Sequence, residues 1–472
     1  MPLKTLPPIQ AGYVPFQDGQ IADRTAVARL GKSLGYLCSG CGVCAEACPT
    51  SVAKMVFEPQ LGSFIPVKLG QTCGNPCVVC EKACPFLADA PETDALTAGL
   101  FGDIAGMQHD GILGHYLEAH VGYSESHRLA SASGGLLTWM LERLLAEKEV
   151  DGIVCVGPDA QSPTLFSYRI CRTVAELRAC SGSCYQPVHL ADVLKEIKAV
   201  AGRYAVVALP CTAKALRMAT KLNVKLRRRI TFIFGVACGG LTNRHFVDYV
   251  AQQFMGAENP VSIRFRAKRP DKQAQHRFVF GFRDAAGQAF EREATFSDGI
   301  GRIYQSHHFQ LEACHYCDDM FAECADAVFL DAWLPEYEKD WRGDTIVLTR
   351  SPRLQEILAQ GIRESAITVK PIGPERVKQS QDGGIRGKRG HNSSHVAHAA
   401  ALGGSPPPFR SEKPTFNSRA SAWLERRIRQ KAERTWLATR DAKAVDKSVQ
   451  VTVLLLGLLR KLARKRVPLI GI

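Results

Sequence analysis

Between Cys38 and Pro85 the sequence writes one cysteine pattern twice. Cys38, Cys41, Cys44 and Cys48 fall in a C-x2-C-x2-C-x3-C-P run closed by Pro49. Cys73, Cys77, Cys80 and Cys84 repeat it before Pro85, with one extra residue between the first two cysteines. Spacing this close lets a tightly wound loop offer three thiolates to one inorganic core, and soft sulfur spreads the charge that moves in one-electron transfer. Zinc or a disulfide frame is the plainer alternative. Structural zinc takes four ligands, usually in pairs across a longer loop, so a tandem repeat speaks for two [4Fe–4S] clusters. Whatever else this chain builds, residues 30–90 must fold around metal.

The double run resembles that of bacterial two-cluster ferredoxins, in which the fourth cysteine of each run serves the other cluster. Carried over, the resemblance implies one cluster on Cys38, Cys41, Cys44 and Cys84. The other falls to Cys73, Cys77, Cys80 and Cys48. Nine further cysteines follow, from Cys155 to Cys324, and no charged start with a long apolar run opens the chain. Free thiols beside such clusters point to a reducing compartment, hence the cytoplasm. The net charge of +14 resembles a nucleic-acid signal until it is located. Residues 411–472 hold 15 Lys and Arg against 5 Asp and Glu, so this tail carries +10 of it. The remainder is nearly balanced, and no base-reading module accompanies the tail, so no nucleic-acid partner is expected.

At 472 residues two or three domains are expected. A short strand at His120–Tyr123 precedes Ser131-Ala-Ser133-Gly134-Gly135, then a helix with Leu137, Met140, Leu141 and Leu144 recurring on one face. Apolar strands follow at Gly152–Val156, Tyr204–Leu209, Ile230–Val236, Ala327–Leu330 and Thr345–Leu348, separated by helical segments. This alternation predicts an α/β sheet buried on both faces, with ligands beyond the carboxyl ends of its strands. Val261–Phe265 and Arg277–Phe282 predict an antiparallel insertion. The sheet domain divides into 119–195 and 200–376. The glycine-rich stretch within 377–415 predicts a flexible linker. Residues 416–472 predict a basic amphipathic helical tail, able to lie on an anionic membrane surface or to pack on its own body or a partner.

Cys211 and Cys238 each follow a strand end, and Cys314-His-Tyr-Cys317 is a C-x2-C pair. The four can converge on a third [4Fe–4S] cluster, with Cys324 a rival for one position. Others of these cysteines can equally be small buried apolar residues. Ser133-Gly134-Gly135 at a helix start can present backbone N–H groups to a pyrophosphate, assisted by the Ser131 and Ser133 hydroxyls. Arg264, Arg266 and Lys268 can reach phosphate or an anionic flavin. His307 and His308 are candidate proton donors.

These motifs, with Ser183-Cys184-Tyr185, Leu209-Pro210-Cys211, Gly235-Val-Ala-Cys238, Asp331-Ala-Trp333 and Gly383-Gly384-Ile385-Arg386, occur in one order. Over residues 30–390 the chain resembles the beta subunits of hydrogenases and dehydrogenases that use the deazaflavin coenzyme F-420, a family with ferredoxin-dependent reductases among its relatives. The resemblance implies an α+β ferredoxin-like iron–sulfur module followed by an α/β flavin-binding domain, with the basic tail outside the match. It further implies FAD held by Ser131, Ser133, Gly134, Gly135, Ser183, Tyr185 and Arg266, with a cluster nearby. Cys184 departs from the family's usual lysine. The function expected is an oxidoreductase taking electrons from ferredoxin or another low-potential donor to FAD and an acceptor. Its alternatives are a relay subunit docked on a hydrogenase or dehydrogenase partner, and an enzyme using the deazaflavin coenzyme. A cytoplasmic chain, peripheral at a membrane if the tail binds one, is the corresponding location.

Overall fold

The computed structural model describes residues 37–51, 53–68, 77–255, 260–270, 278–294, 303–410 and 413–465. At its start Gly40 and Gly42 take φ of 74° and 76°, a left-handed conformation that costs glycine nothing. These turns wind the loop that carries Cys38 and Cys41 into the helix Val43–Ala47, which bears Cys44. β1 (Ala53–Glu58) and β2 (Ser63–Lys68) form an antiparallel hairpin, and the helix Val79–Lys82 bears Cys80. The module shares a core with the rest of the chain. Val43, Ala47 and Ala83 pack with Leu194 and Leu216, and Leu190 N donates to the Cys41 carbonyl at 2.8 Å.

A small hairpin, β3 (Gln108–Asp110) and β4 (Gly114–Tyr116), leads into the sheet strands β5 (Glu118–Tyr123), β6 (Gly152–Pro158), β7 (Phe166–Cys171), β8 (Tyr204–Ala208) and β9 (Ile230–Val236). A separate antiparallel sheet of β10 (Ser262–Ala267), β11 (Phe278–Arg283) and β12 (Ala289–Ala294) interrupts them. β13 (Ala327–Asp331), β14 (Thr345–Thr349) and β15 (Thr368–Pro371) complete eight strands in the order β15-β5-β14-β13-β9-β8-β6-β7. β6, β8, β9 and β13 run parallel; the outer pairings are antiparallel. The sheet is therefore mixed, because β6–β7 and β13–β14 pair directly through loops instead of crossing over by helices.

Both faces are covered, as apolar residues at period two require. Val154, Val206, Ile233 and Val328 meet the helices Ala191–Ala199 and Pro210–Leu222. Ile153, Ala205, Phe234 and Phe329 meet the helices Leu136–Ala146 and Pro352–Arg363.

One expectation needs correction. The stretch expected as a flexible linker is mostly helical: Pro374–Ser380, Asp382–Ile385, a π-helical turn at Arg386–His391, and Asn392–Ala401. Of its glycines Gly384 serves close packing, since a Cβ there would collide with Met320 Sδ, whereas Gly383, Gly387 and Gly390 have open space beside them. The tail is helical as expected, as the two long helices Phe416–Thr439 and Ala442–Lys465, and of the alternatives left open it takes packing on its own body. Leu424, Ile428, Ala432, Trp436, Val445 and Val449 share a core with Phe246 and Val250 of the helix Arg244–Met255 and with Phe265 of β10. Among the described residues no helix is long and apolar enough to cross a membrane.

Candidate functional site

The thiols arrange themselves in steps. Cys38, Cys41, Cys44 and Cys84 line one small cavity together with Gly42, Met55 and Phe86, which is the ligand set implied for one cluster. Of the other set, Cys48 and Cys80 are buried and Cys77 is exposed, while Cys73 lies outside the described residues. The sixteen described cysteines are all free.

Beyond the first set, Cys211 packs against the apolar group that holds Cys44, Cys80 and Cys84. Burial raises the Cys211 thiol well above its ordinary range, and the neighbouring Cys317, Cys41, Cys238 and Cys314 push it the same way. Cys211, at the start of the helix Pro210–Leu222, and Cys238, two residues past β9, are delivered by strand ends; Cys314 lies in the 3-10 turn Glu312–Tyr316. The rival Cys324 is fully buried and faces a different group, with Asp319, Lys214, Glu323 and Arg217 as charged neighbours.

Lys388, on the π-helical turn, enters this second gathering. Its Nζ donates to Cys317 Sγ at 3.0 Å and the residue is buried. Burial works against the ammonium charge, but Cys317, Cys238 and Cys314 outweigh it and hold the lysine well above its ordinary range. The loop bearing Cys317 is pinned from outside by Arg410, which donates to Asp318 at 2.9 Å and to both oxygens of Glu323 at 2.7 and 2.8 Å. Burial, with Asp319 nearby, pushes the Glu323 carboxyl up to about 7 against the pull of Arg410.

Cys238 also belongs to the wall of a cavity of about 700 Å³. Ser131, Ser133, Gly135, Ser183, Tyr185 and Arg266 line that same cavity, alongside Leu137, Val156, Phe166 and Phe329. Its size lies within the ~300–1,000 Å³ typical of cofactor pockets. Ser181 Oγ, also at this wall, is buried with no hydrogen-bond partner among the described residues, an arrangement that a polar ligand group would relieve. Tyr185 meets Phe265 edge-on at 5.1 Å and Tyr304 at 5.8 Å, and Tyr304 Oη donates to the Gly240 carbonyl at 3.0 Å.

Several expected roles change at this level of detail. Gly134 does not line the cavity: its N–H donates to Thr345 Oγ1 at 2.8 Å. The Ser133 hydroxyl likewise donates to the Asp344 carbonyl at 2.6 Å. Both groups fasten the loop to β14 and are not open to a pyrophosphate. The first-turn amides of the helix Leu136–Ala146 have no carbonyl four residues back within the helix, and Leu137 and Thr138 reach the wall.

Arg266 is held by both oxygens of Asp331 at 2.7 and 3.1 Å, so its charge is already paired. Lys268 Nζ donates to the carbonyls of Arg128 at 2.5 Å and Ser133 at 2.6 Å, and burial beside Arg266 brings it down to about 7. Arg264 remains exposed at the cavity wall.

His307 and His308 do not reach the cavity wall. Burial lowers them to about 4 and about 3, so both are neutral at pH 7. His307 Nδ1 lies 3.5 Å from Glu425 Oε2, and His391 and His395 surround the same carboxylate from the tail helix. His307 faces the tail helix and His308 packs beside Tyr249 and Phe309, which removes the basis for a proton-donor role at the cavity. Lys388, Ser181 and Glu425 are the residues that sequence reasoning missed. Lys388 stood in plain view in Gly383-Gly-Ile-Arg-Gly-Lys-Arg-Gly390, but glycine density read as flexibility.

Residues 119–195 match the N-terminal part, and residues 201–375 the C-terminal part, of the family described as "Coenzyme F420 hydrogenase/dehydrogenase, beta subunit". Together these matches span just over half the chain, and it belongs to this family. A solved structure described as the F420-reducing [NiFe] hydrogenase complex from Methanosarcina barkeri contains a similar chain, 17% identical with a TM-score of 0.47. That likeness covers 62% of this chain and 95% of the other. No curated protein matches the sequence.

Proposed function

We propose that the protein is an iron–sulfur flavoprotein oxidoreductase. In this reading electrons from ferredoxin or another low-potential donor pass through the clusters of residues 38–84 and a third cluster on Cys211, Cys238, Cys314 and Cys317. They reach FAD in the 700 Å³ cavity and then an acceptor. The observation that carries the reading is the double membership of Cys238, in the four-cysteine group and in the cavity wall.

A bound flavin would gather single electrons into pairs for delivery as a hydride equivalent. The chain's own residues supply the rest. Leu137, Val156, Phe166 and Phe329 exclude water, Ser181 offers an unused hydroxyl, and Arg264 offers a cation at the wall. Lys388 sets positive charge beside Cys317.

Anaerobic reconstitution of the full chain, with iron, sulfide and flavin measured per chain, tests this. Three cubane equivalents and one FAD are expected. Clusters without flavin would favour the relay subunit docked on a hydrogenase or dehydrogenase. Cys44→Ala and Cys80→Ala should each remove one cluster and leave flavin content unchanged.

The tail helix Ala442–Lys465 turns Val451, Leu454, Leu455, Leu458 and Leu462 outward, beside Arg460 and Lys461. We propose this stripe as the contact with an anionic membrane, basic groups contributing about 1 kcal/mol each near such a surface. Leu454→Asp with Leu458→Asp should abolish sedimentation with anionic liposomes, and unchanged sedimentation would remove the stripe from that role.

A further inference from the structure

Three cysteines outside every cluster assignment lie together, two of them at the cavity wall. Cys155 sits in β6, Cys171 ends β7, and Cys180 follows the helix Val174–Ala179. Their sulfurs are 3.6 Å apart for Cys155 and Cys171 and 3.7 Å apart for Cys171 and Cys180. All three sulfurs lie within 4.8 Å of one another. Two thiolates bound to one tetrahedral ion at ~2.3 Å stand about 3.8 Å apart. A disulfide requires ~2.05 Å, and all three thiols are free. A cubane cluster gives each thiolate its own iron corner and spreads the sulfurs, so this closeness suits one ion.

We propose that Cys155, Cys171 and Cys180 form a mononuclear site for a thiophilic d10 cation, zinc, whose fourth position opens to the cavity. The surroundings are built for it. Gly157 leaves room, since a Cβ there would stand 2.7 Å from Cys180 Sγ and 3.0 Å from Arg169 Nε. Arg169, tied to the Pro158 carbonyl at 2.7 Å, adds positive charge that offsets three thiolates.

A capping box fixes the helix before Cys180: Glu176 N donates to Thr173 Oγ1 at 3.2 Å, and Thr173 N donates to Glu176 Oε2 at 3.1 Å. Cys171 is fully buried, whereas Cys155 and Cys180 reach the cavity wall, so three ligands enclose the ion from one side. Three protein ligands with one open place is the count of a reactive zinc site, where water or a ligand oxygen completes the shell.

The test uses the full chain, purified anaerobically with its clusters, exposed to zinc chloride and freed of excess. About one zinc per chain is expected, with X-ray absorption showing three sulfur neighbours at ~2.3 Å. Cys171→Ser should lose that zinc while iron content stays unchanged. Cys180→Ser, a change at a half-buried position that spares the core, should lose it too. The proposal is overturned by zinc no higher than a buffer blank in the unaltered chain, by equal zinc in both variants, or by a mass lower by two hydrogens, which marks a disulfide.

Discussion

A buried ammonium is an expensive group unless its charge is used, and Lys388 is held buried with its Nζ 3.0 Å from Cys317 Sγ. If Cys317 ligates a cluster, Lys388 favours its reduced, more negative form. Lys388→Met should then keep the iron but lower that cluster's reduction potential, on the order of 100 mV for one unit charge at close range. An EPR-monitored redox titration reads the shift, and an unchanged potential would separate the lysine from the cluster.

His245 makes a second prediction at this scale. Its Nε2 donates to the Gln60 carbonyl at 3.0 Å, and burial brings it down to about 4. The unfolded chain takes up this proton near pH 6.5 and the folded one only near 4, so stability is present above 6.5 and is lost as pH falls between them, by at most about 3 kcal/mol. His245→Gln should flatten that part of a denaturant-measured stability profile. The gathering of Cys38, Cys41 and Cys44 was legible because it follows from local spacing, and Cys84 joins them as the ferredoxin resemblance implied. Lys388 was not, because its partner stands 71 residues away along the chain.

Among the elements, the helix Leu136–Ala146 and its entry loop show what short motifs conceal. Ser133-Gly134-Gly135 does sit at a helix start, as its composition suggests, yet its central glycine is there for packing. A Cβ on Gly134 would meet Gly122 O at 2.5 Å and Thr345 N at 2.7 Å, both backbone atoms that cannot swing aside. Gly134→Ala should therefore destabilise the fold by at least the ~1–3 kcal/mol of overpacking, whether or not flavin is present. A thermal melt of the flavin-free protein showing no loss would contradict this. The strands were legible for a related reason: buried on both faces, they appear as unbroken apolar runs. β12 was missed because Ala289–Ala294 carries three charged residues in a row, Glu291-Arg292-Glu293, and owes its pairing to β11.

In the whole molecule, charge and glycine content mislead where long-range packing decides. The tail resembles an appendage in sequence because its basicity stands apart from the rest. Its other helix face supplies Ile428, Trp436 and Val449 to a core shared with the body, and Arg460 donates to the fully buried Glu425 at 2.8 Å. Deleting residues 411–472 should expose that core and lower the melting temperature; it should not simply release an arm. Circular dichroism melts of the truncated and full chains check it, and equal midpoints would return the tail to an accessory role.

The burial of Glu425 among His307, His391 and His395 also sets an order in time. The ribosome makes Cys38 some 387 residues before Glu425, an interval of roughly 20–80 s at about 5–20 residues per second. The first cysteine run is thus outside the tunnel while the segment that closes the histidine side is still being written. Any metal taken up by the first module can enter on the nascent chain, but the body waits for the helices Phe416–Thr439 and Ala442–Lys465.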